Sequence, residues 1–174
     1  MSDRIIEVVT YDEAWPLRFL VEKQRLNDIL PQCILEIHHI GSTAVPGLAA
    51  KPIIDILLEV NSLSDLDCRV PLLATLEYQA KGEYGIPGRR YFTKGAIRRT
   101  HHLHAFERGD LNVTRHLAFR DYLRAHAEIA DEYGDLQRTV AATCENDIGR
   151  YAAGKHNFVE VNEAAALLWR SIVA

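Results

Sequence analysis

Cysteine is scarce and poorly spaced for any covalent or metal framework: Cys33, Cys68 and Cys144 are odd in number and far apart, with no C-x-x-C pair. That excludes a disulfide scaffold and a zinc knuckle, and reads the thiols as reduced and mostly structural. No segment approaches the roughly 18 consecutive apolar residues of a membrane-crossing helix. Met1 to Thr10 sets Asp3, Arg4 and Glu7 among its apolar residues, unlike the continuous apolar run of a signal peptide. The expectation is a soluble, cytoplasmic protein with no membrane partner. A surplus of positive charge is also missing, since 20 Lys and Arg face 24 Asp and Glu for a net charge of −4. General nucleic-acid binding, which needs cations to displace counterions, is therefore not expected. There is no G-x-x-x-x-G-K-[ST] phosphate loop, no internal repeat and no low-complexity linker.

What is present is ordinary for a folded chain. The 174 residues are 48% apolar and 25% charged, enough to bury one core, and one domain over residues 1–174 is expected. Ile5 to Val9 reads as a short first strand. Asp12 caps a helix with Pro16 in its first turn, running to about Leu30 with Trp15, Phe19, Leu26 and Ile29 on one face. Strands follow at Ile34 to Ile40 and Ile53 to Val60, around a Gly/Pro-containing loop, and the second is so apolar that it belongs in the interior of a sheet. Ser62 or Ser64 caps a helix carrying Leu66, Val70, Leu73 and Leu76, kinked or delayed by Pro71. Arg90 to Lys94 and His101 to Glu107 form a hairpin joined through Gly95. The rest is helical, with apolar faces at Phe119, Tyr122 and Leu123, at Ile129, Tyr133, Leu136 and Val140, and at Phe158, Val161, Leu168 and Trp169. Strands concentrate in the middle and helices lie before and after, which gives an α+β fold: a mixed β-sheet flanked by helices, with a helical C-terminal part.

Chemistry concentrates in the stretch His38 to Asp55, where a tight turn precedes a carboxylate carried on a strand. Gly41 lets backbone N–H groups approach a phosphate, Ser42 adds a hydroxyl donor, and Asp55 suits a divalent ion that neutralises phosphate charge. Lys51 can reach the same phosphate. His102 and His104 project to one side of their strand, and His39 ends the strand leading to Gly41; with Asp55 these are the candidate metal ligands, for Mg²⁺ or Mn²⁺ or for a transition metal. Arg89, Arg90, Lys94, Arg98 and Arg99 place five positive charges within eleven residues, a site for an anion or a charge-protected sheet edge, and Arg90 is the preferred anion ligand. Arg120, Asp121 and Arg124 are read as surface pairs, and Trp15 and Trp169 as core.

The run HHIGSTAVPGLAAKPIIDI resembles the signature of the GrpB family, and HHLHAFE, FRDYLR and the tail containing Lys155 resemble its later segments. The likeness extends from about Val8 to Ala165. It implies a fold of the nucleotidyltransferase type, in which a Gly-Ser turn precedes a strand reading Asp-apolar-Asp/Glu, and Gly41, Ser42 and Asp55 match that pattern. The second acidic position, two residues on and on the same strand face, is Leu57. Two-metal transfer depends on paired ligands, so one of them is missing. Glu59 shares the face but lies about 13 Å along the strand from Asp55. Three functions are thus expected in competition: a protein binding a nucleotide or phosphorylated small molecule with a divalent metal, of uncertain catalytic power; a non-catalytic or folding-accessory module like the domain appended to some dephospho-CoA kinases; and a metal hydrolase built from His39, His102, His104 and Asp55.

Overall fold

In the computed structural model, which describes residues 5–173, a long N-terminal helix α1 (Ala14–Ile29) leads into strand β1 (Ile34–Ile40), and a single 3-10 turn, Ser42–Ala44, follows it. Strand β2 (Ile54–Val60), the short helices α2 (Leu63–Asp67) and α3 (Val70–Thr75), and strands β3 (Tyr78–Ala80), β4 (Arg90–Lys94) and β5 (His101–Glu107) complete the middle of the chain. Helices α4 (Leu111–Ala125), α5 (Ala127–Thr143) and α6 (Ile148–Val173) make up the C-terminal part.

The five strands lie in the order β1-β2-β5-β4-β3. All neighbours are antiparallel except β2 and β5, which run parallel, so the sheet is mixed. Both strands of that parallel pair are interior, and β2 accordingly alternates very little: Ile56, Leu57, Leu58 and Val60 are all fully buried. Alternate residues still divide between two cores. Ile54, Ile56, Leu58 and Val60 meet Trp15, Phe19 and Leu26 of α1 with Leu66 and Leu73 of α2 and α3 on one face. Leu57 on the other face packs with Ile40, Phe106 and Val113 beneath α4. The remaining apolar residues of α4, α5 and α6 bury Val45 and Leu48 of the loop after the 3-10 turn.

Several local expectations need correcting. Ile5 to Val9 forms no strand and contributes only one isolated bridge, Val9 to Ala50, because its two backbone bonds reach a loop and not a sheet edge. Pro71 neither kinks nor delays one helix but separates two, sitting in the first turn of α3, where its missing N–H leaves nothing unsatisfied. The outer face of α6 is solvent-exposed at Val161 and Leu168, while Trp169 packs edge-on against Tyr122. No described helix is long and apolar enough to cross a membrane.

One ion pair ties the two halves of the α1-side core. Lys94 of β4 donates to Glu22 of α1 over 2.8 Å, the Lys residue 8% exposed and the Glu residue 1%. Burial works to raise the Glu22 carboxyl, and the hydrogen bond and charge of Lys94, with a contribution from His101, more than reverse it. Removing one member of such a pair strands the other charge in the core. Lys94→Ala is expected to cost about 3–5 kcal/mol, read from urea melts at neutral pH, whereas Lys94→Met combined with Glu22→Leu should recover most of that loss.

Candidate anion-binding site

The site is built where β1 ends. Ile40 pairs with Asp55 across the antiparallel β1–β2 ladder, and Asp55 pairs with His102 across the parallel β2–β5 ladder. Since pleat alternation is preserved across each ladder, Asp55, His102 and His104 share one face. His102 Nδ1 lies 3.0 Å and His104 Nε2 3.6 Å from the same oxygen, Asp55 Oδ1. Arg89 Nη1 approaches His104 Nδ1 at 3.4 Å, and a guanidinium can only donate, so His104 carries its proton on Nε2, directed at Asp55.

Electrostatics follow from that arrangement. Burial tends to raise the Asp55 carboxyl, but the hydrogen bonds and charge of His102 and His104 overcome it and hold the group far below the usual carboxylate range. Burial pushes His104 down, with Asp55 opposing. His116, whose ring centroid is 5.5 Å from that of His104, falls to about 3 through burial and the neighbouring His104 and Arg115 charges. An ionised aspartate thus lies beside His104, which burial disposes toward the neutral form.

Gly41 has φ 73° and ψ −175°, and a Cβ built there would stand 2.7 Å from Asp55 Oδ2. The glycine therefore supplies the turn and the room for the carboxylate. The turn is braced from α4: Arg120 Nη1 donates to the His39 carbonyl at 3.1 Å and Arg124 Nε to the Ala44 carbonyl at 2.9 Å. These residues do pair with Asp121, as surface residues would, but their second contacts hold the loop.

A cavity of about 240 Å³ opens beside Asp55 and His102, with Gly41, Ser42, Lys51 and Ile53 on the sheet side and Tyr133, Gln137 and Lys155 opposite. Gln137 Nε2 donates to Ser42 Oγ at 3.1 Å and to the Ala49 carbonyl at 2.9 Å, while the Tyr151 hydroxyl donates to Gln137 Oε1 at 3.1 Å. Lys51 Nζ and Lys155 Nζ both lie over the Tyr151 ring, 4.7 and 4.3 Å from its centroid. Burial, and after it the charge of Lys51, lowers Lys155 to about 8, with Asp55 opposing.

Of the residues singled out from sequence, Gly41, Ser42, Lys51, Asp55 and His102 line this cavity, and His104 stands next to it. Two do not join them. Arg90 lies on the opposite sheet face, where its Nε and Nη2 grip Asp67 of α2 at 2.7 and 2.9 Å. Its neighbour Arg89, buried at 6% exposure, is the arginine on the site's side, because a one-residue shift along a strand changes the face. His39 also points away, stacked on Phe19 of α1 with ring centroids 4.8 Å apart and Nε2 2.9 Å from Thr43 Oγ1, and burial pushes it to about 4. The four-ligand set of His39, His102, His104 and Asp55 is thus not assembled. Tyr133, Gln137, Tyr151 and Lys155 were not foreseen as site residues, although each pair, four residues apart, marks one helical face.

A pair of divalent ions, which this kind of fold implies, does not fit the donor set. Asp55 is the one carboxylate among the described lining residues, and its Oδ1 already accepts a hydrogen bond from His102. Leu57 is fully buried in the apolar cluster with Phe106, and Glu59 Oε1 is bonded to His38 at 2.7 Å. Among the described residues no group of three or more His, Cys, Asp or Glu side chains is arranged to hold a metal.

A mixed five-stranded sheet with a Gly-Ser turn facing a strand aspartate defines a nucleotidyltransferase-like fold. A structure of Cid1 in complex with its short product ApU shares that fold alone, at a TM-score of 0.50 and 11% identity over 75% of this chain and 42% of that one. The chain belongs to the GrpB family: the pattern of the GrpB protein family matches residues 5–164. The crystal structure of conserved protein GrpB from Enterococcus faecalis superposes at a TM-score of 0.90 with 41% identity, covering 94% of this chain and 99% of that one. UPF0157 protein YqkA of Bacillus subtilis (strain 168) is 45% identical over 167 residues, 96% of this chain and 49% of its own length, so this chain spans about half of that relative. A dephospho-CoA kinase of Mycobacterium leprae (strain TN) is similar at 29% identity over 176 residues, 85% of this chain and 43% of the kinase.

Gly41→Ala is expected to lower stability by about 1–3 kcal/mol through its left-handed backbone, and to displace Asp55. Denaturant melts read the first effect, and a change in the His102 ring resonances the second.

Proposed function

We propose that this chain binds the phosphate group of a small molecule, the class that includes nucleotides, between the Gly41–Ser42 turn and the two lysines Lys51 and Lys155. The observation that carries the reading is the pairing of like charges. In a protein of net charge −4, two ammonium groups share one aromatic ring at the mouth of a small cavity, and Lys155 is driven down by burial and by its neighbour. Two ammonium groups held over one ring concentrate positive charge where a single phosphate can accept from both. The Gly41 turn and the Ser42 hydroxyl add polar groups to the same lining. Asp55 does not fit as an anion contact; it orders the wall by receiving His102 and His104.

The reading is one of binding. Transfer through two metal ions requires the second acidic ligand that Leu57 replaces, and no catalytic step is proposed. A second reading, a module that assists a neighbouring domain, is favoured by the similarity to the dephospho-CoA kinase of Mycobacterium leprae, of which this chain spans 43%. It predicts that phosphate produces no stabilisation.

The test uses sulfate, whose charge is constant across the range. Because Lys155 binds an anion only when protonated, affinity should be full below pH 7 and fall as pH rises through about 8. Calorimetry between pH 6 and pH 9.5 should show that fall, Lys155→Met should lose about tenfold at pH 7, and Lys155→Arg should bind without the decline. A flat profile with unchanged binding in Lys155→Met contradicts the proposal.

A further inference from the structure

Lys51 and Ile53 also line a second, larger cavity of about 600 Å³, whose other lining residues include Ile5, Ile6 and Pro52 and, in the β4–β5 loop, Ile97, Arg98 and Arg99. The two spaces are therefore neighbours, with Lys51 and Ile53 as their shared lining. Their chemistry differs. The inner one is polar; the outer one has aliphatic walls and contains no aromatic ring among its described lining residues.

The far end of the outer cavity is cationic for a structural reason. Gly95 turns with φ 81°, and a Cβ there would run into the Arg98 carbonyl oxygen, so the loop folds tightly back on itself. Thr100 N–H then donates to the Lys94 carbonyl at 2.9 Å, and this closure sets Arg98 and Arg99 on the cavity side. Arg99 Nε is buried and has no hydrogen-bond partner among the described residues. An orphaned guanidinium donor at the edge of a cavity is costly unless a ligand accepts from it. Glu7, the one carboxylate among the described residues lining this outer space, follows Ile5 and Ile6 in the chain.

We propose that the ligand is an elongated molecule with two anionic heads: a phosphate at Lys51 and Lys155, an aliphatic middle against Ile53, Pro52 and Ile97, and a second carboxylate or phosphate at Arg98 and Arg99. This rests on the phosphate reading above and narrows it. Guanidinium groups recognise planar or tetrahedral oxyanions in fork geometry. Aliphatic walls without an aromatic platform suit a saturated chain better than a nucleobase, whose binding draws on stacking.

The experiment measures calorimetric binding of inorganic phosphate, a series of α,ω-alkane bisphosphonates, and alkyl monophosphonates of the same lengths. For one chain length the bisphosphonate should bind about tenfold tighter than its monophosphonate, as a second linked contact dictates. Arg99→Gln should erase that advantage and leave monophosphonate and phosphate binding unchanged, while Lys155→Met weakens all three. Equal affinities at every length, or an advantage that survives Arg99→Gln, overturn the two-headed ligand while leaving the phosphate site standing. Adenosine triphosphate binding tighter than every bisphosphonate and indifferent to Arg99→Gln also overturns it. If phosphate itself does not bind, the underlying reading fails first, and the two failures are distinguished by that single measurement.

Discussion

The hydrogen bond from His102 to Asp55 organises everything around it. It forms because parallel pairing of β2 with β5 places the two residues directly opposite each other, on the sheet face where α4 packs. Asp55 can occupy that position because Gly41, across the β1 end, presents no side chain against it. The carboxylate stays ionised because imidazole N–H groups face it, and burial keeps His104 disposed to neutrality. These contacts join the turn, the parallel pair and the imidazoles in one unit.

That unit differs in its donor set from a site that clamps phosphates with two metal ions. In a two-metal site, carboxylates converge on ions. Here the strand that would supply the second carboxylate supplies Leu57, which packs with Ile40, Phe106 and Val113 and so converts a ligand position into core. The remaining carboxylate is engaged by protein donors. In the proposed binding mode, positive charge for an anion comes instead from Lys51 and from Lys155 of α6, with four helices between them in the chain, so anion affinity depends on the packing of α6.

Much of this was legible in the sequence, and the limits have physical causes. Strands β1, β2, β4 and β5 could be read because apolar runs bounded by Gly and Pro have few alternatives, and the side-by-side placement of Gly41 and Asp55 follows from the loop between them. His102 and His104 could be put on one face by the period of two. That same period does not say which face a neighbouring strand turns to the site, so Arg90 was preferred to Arg89 and His39 was grouped with residues on the far side of the sheet. Lys155 escaped attention because a lysine on a long helix reads as solvated until tertiary packing sets it against Tyr151. The resemblance to the GrpB family anticipated the fold, and it carried no residue-level account of the lysine pair.

The central claim is that this site holds an anion through lysines and a glycine turn, with Asp55 as an internal brace and not as a metal ligand. Calorimetry of pyrophosphate binding to the native chain and to Asp55→Asn, each with EDTA and then with excess Mn²⁺, tests it most directly. The account predicts equal affinity with and without the metal for the native chain. It also predicts that Asp55→Asn retains binding wherever it remains folded, its main loss being stability above about pH 4, where the native carboxylate is ionised in both the folded and unfolded chain. Binding that appears only with Mn²⁺ and vanishes in a folded Asp55→Asn protein would contradict it.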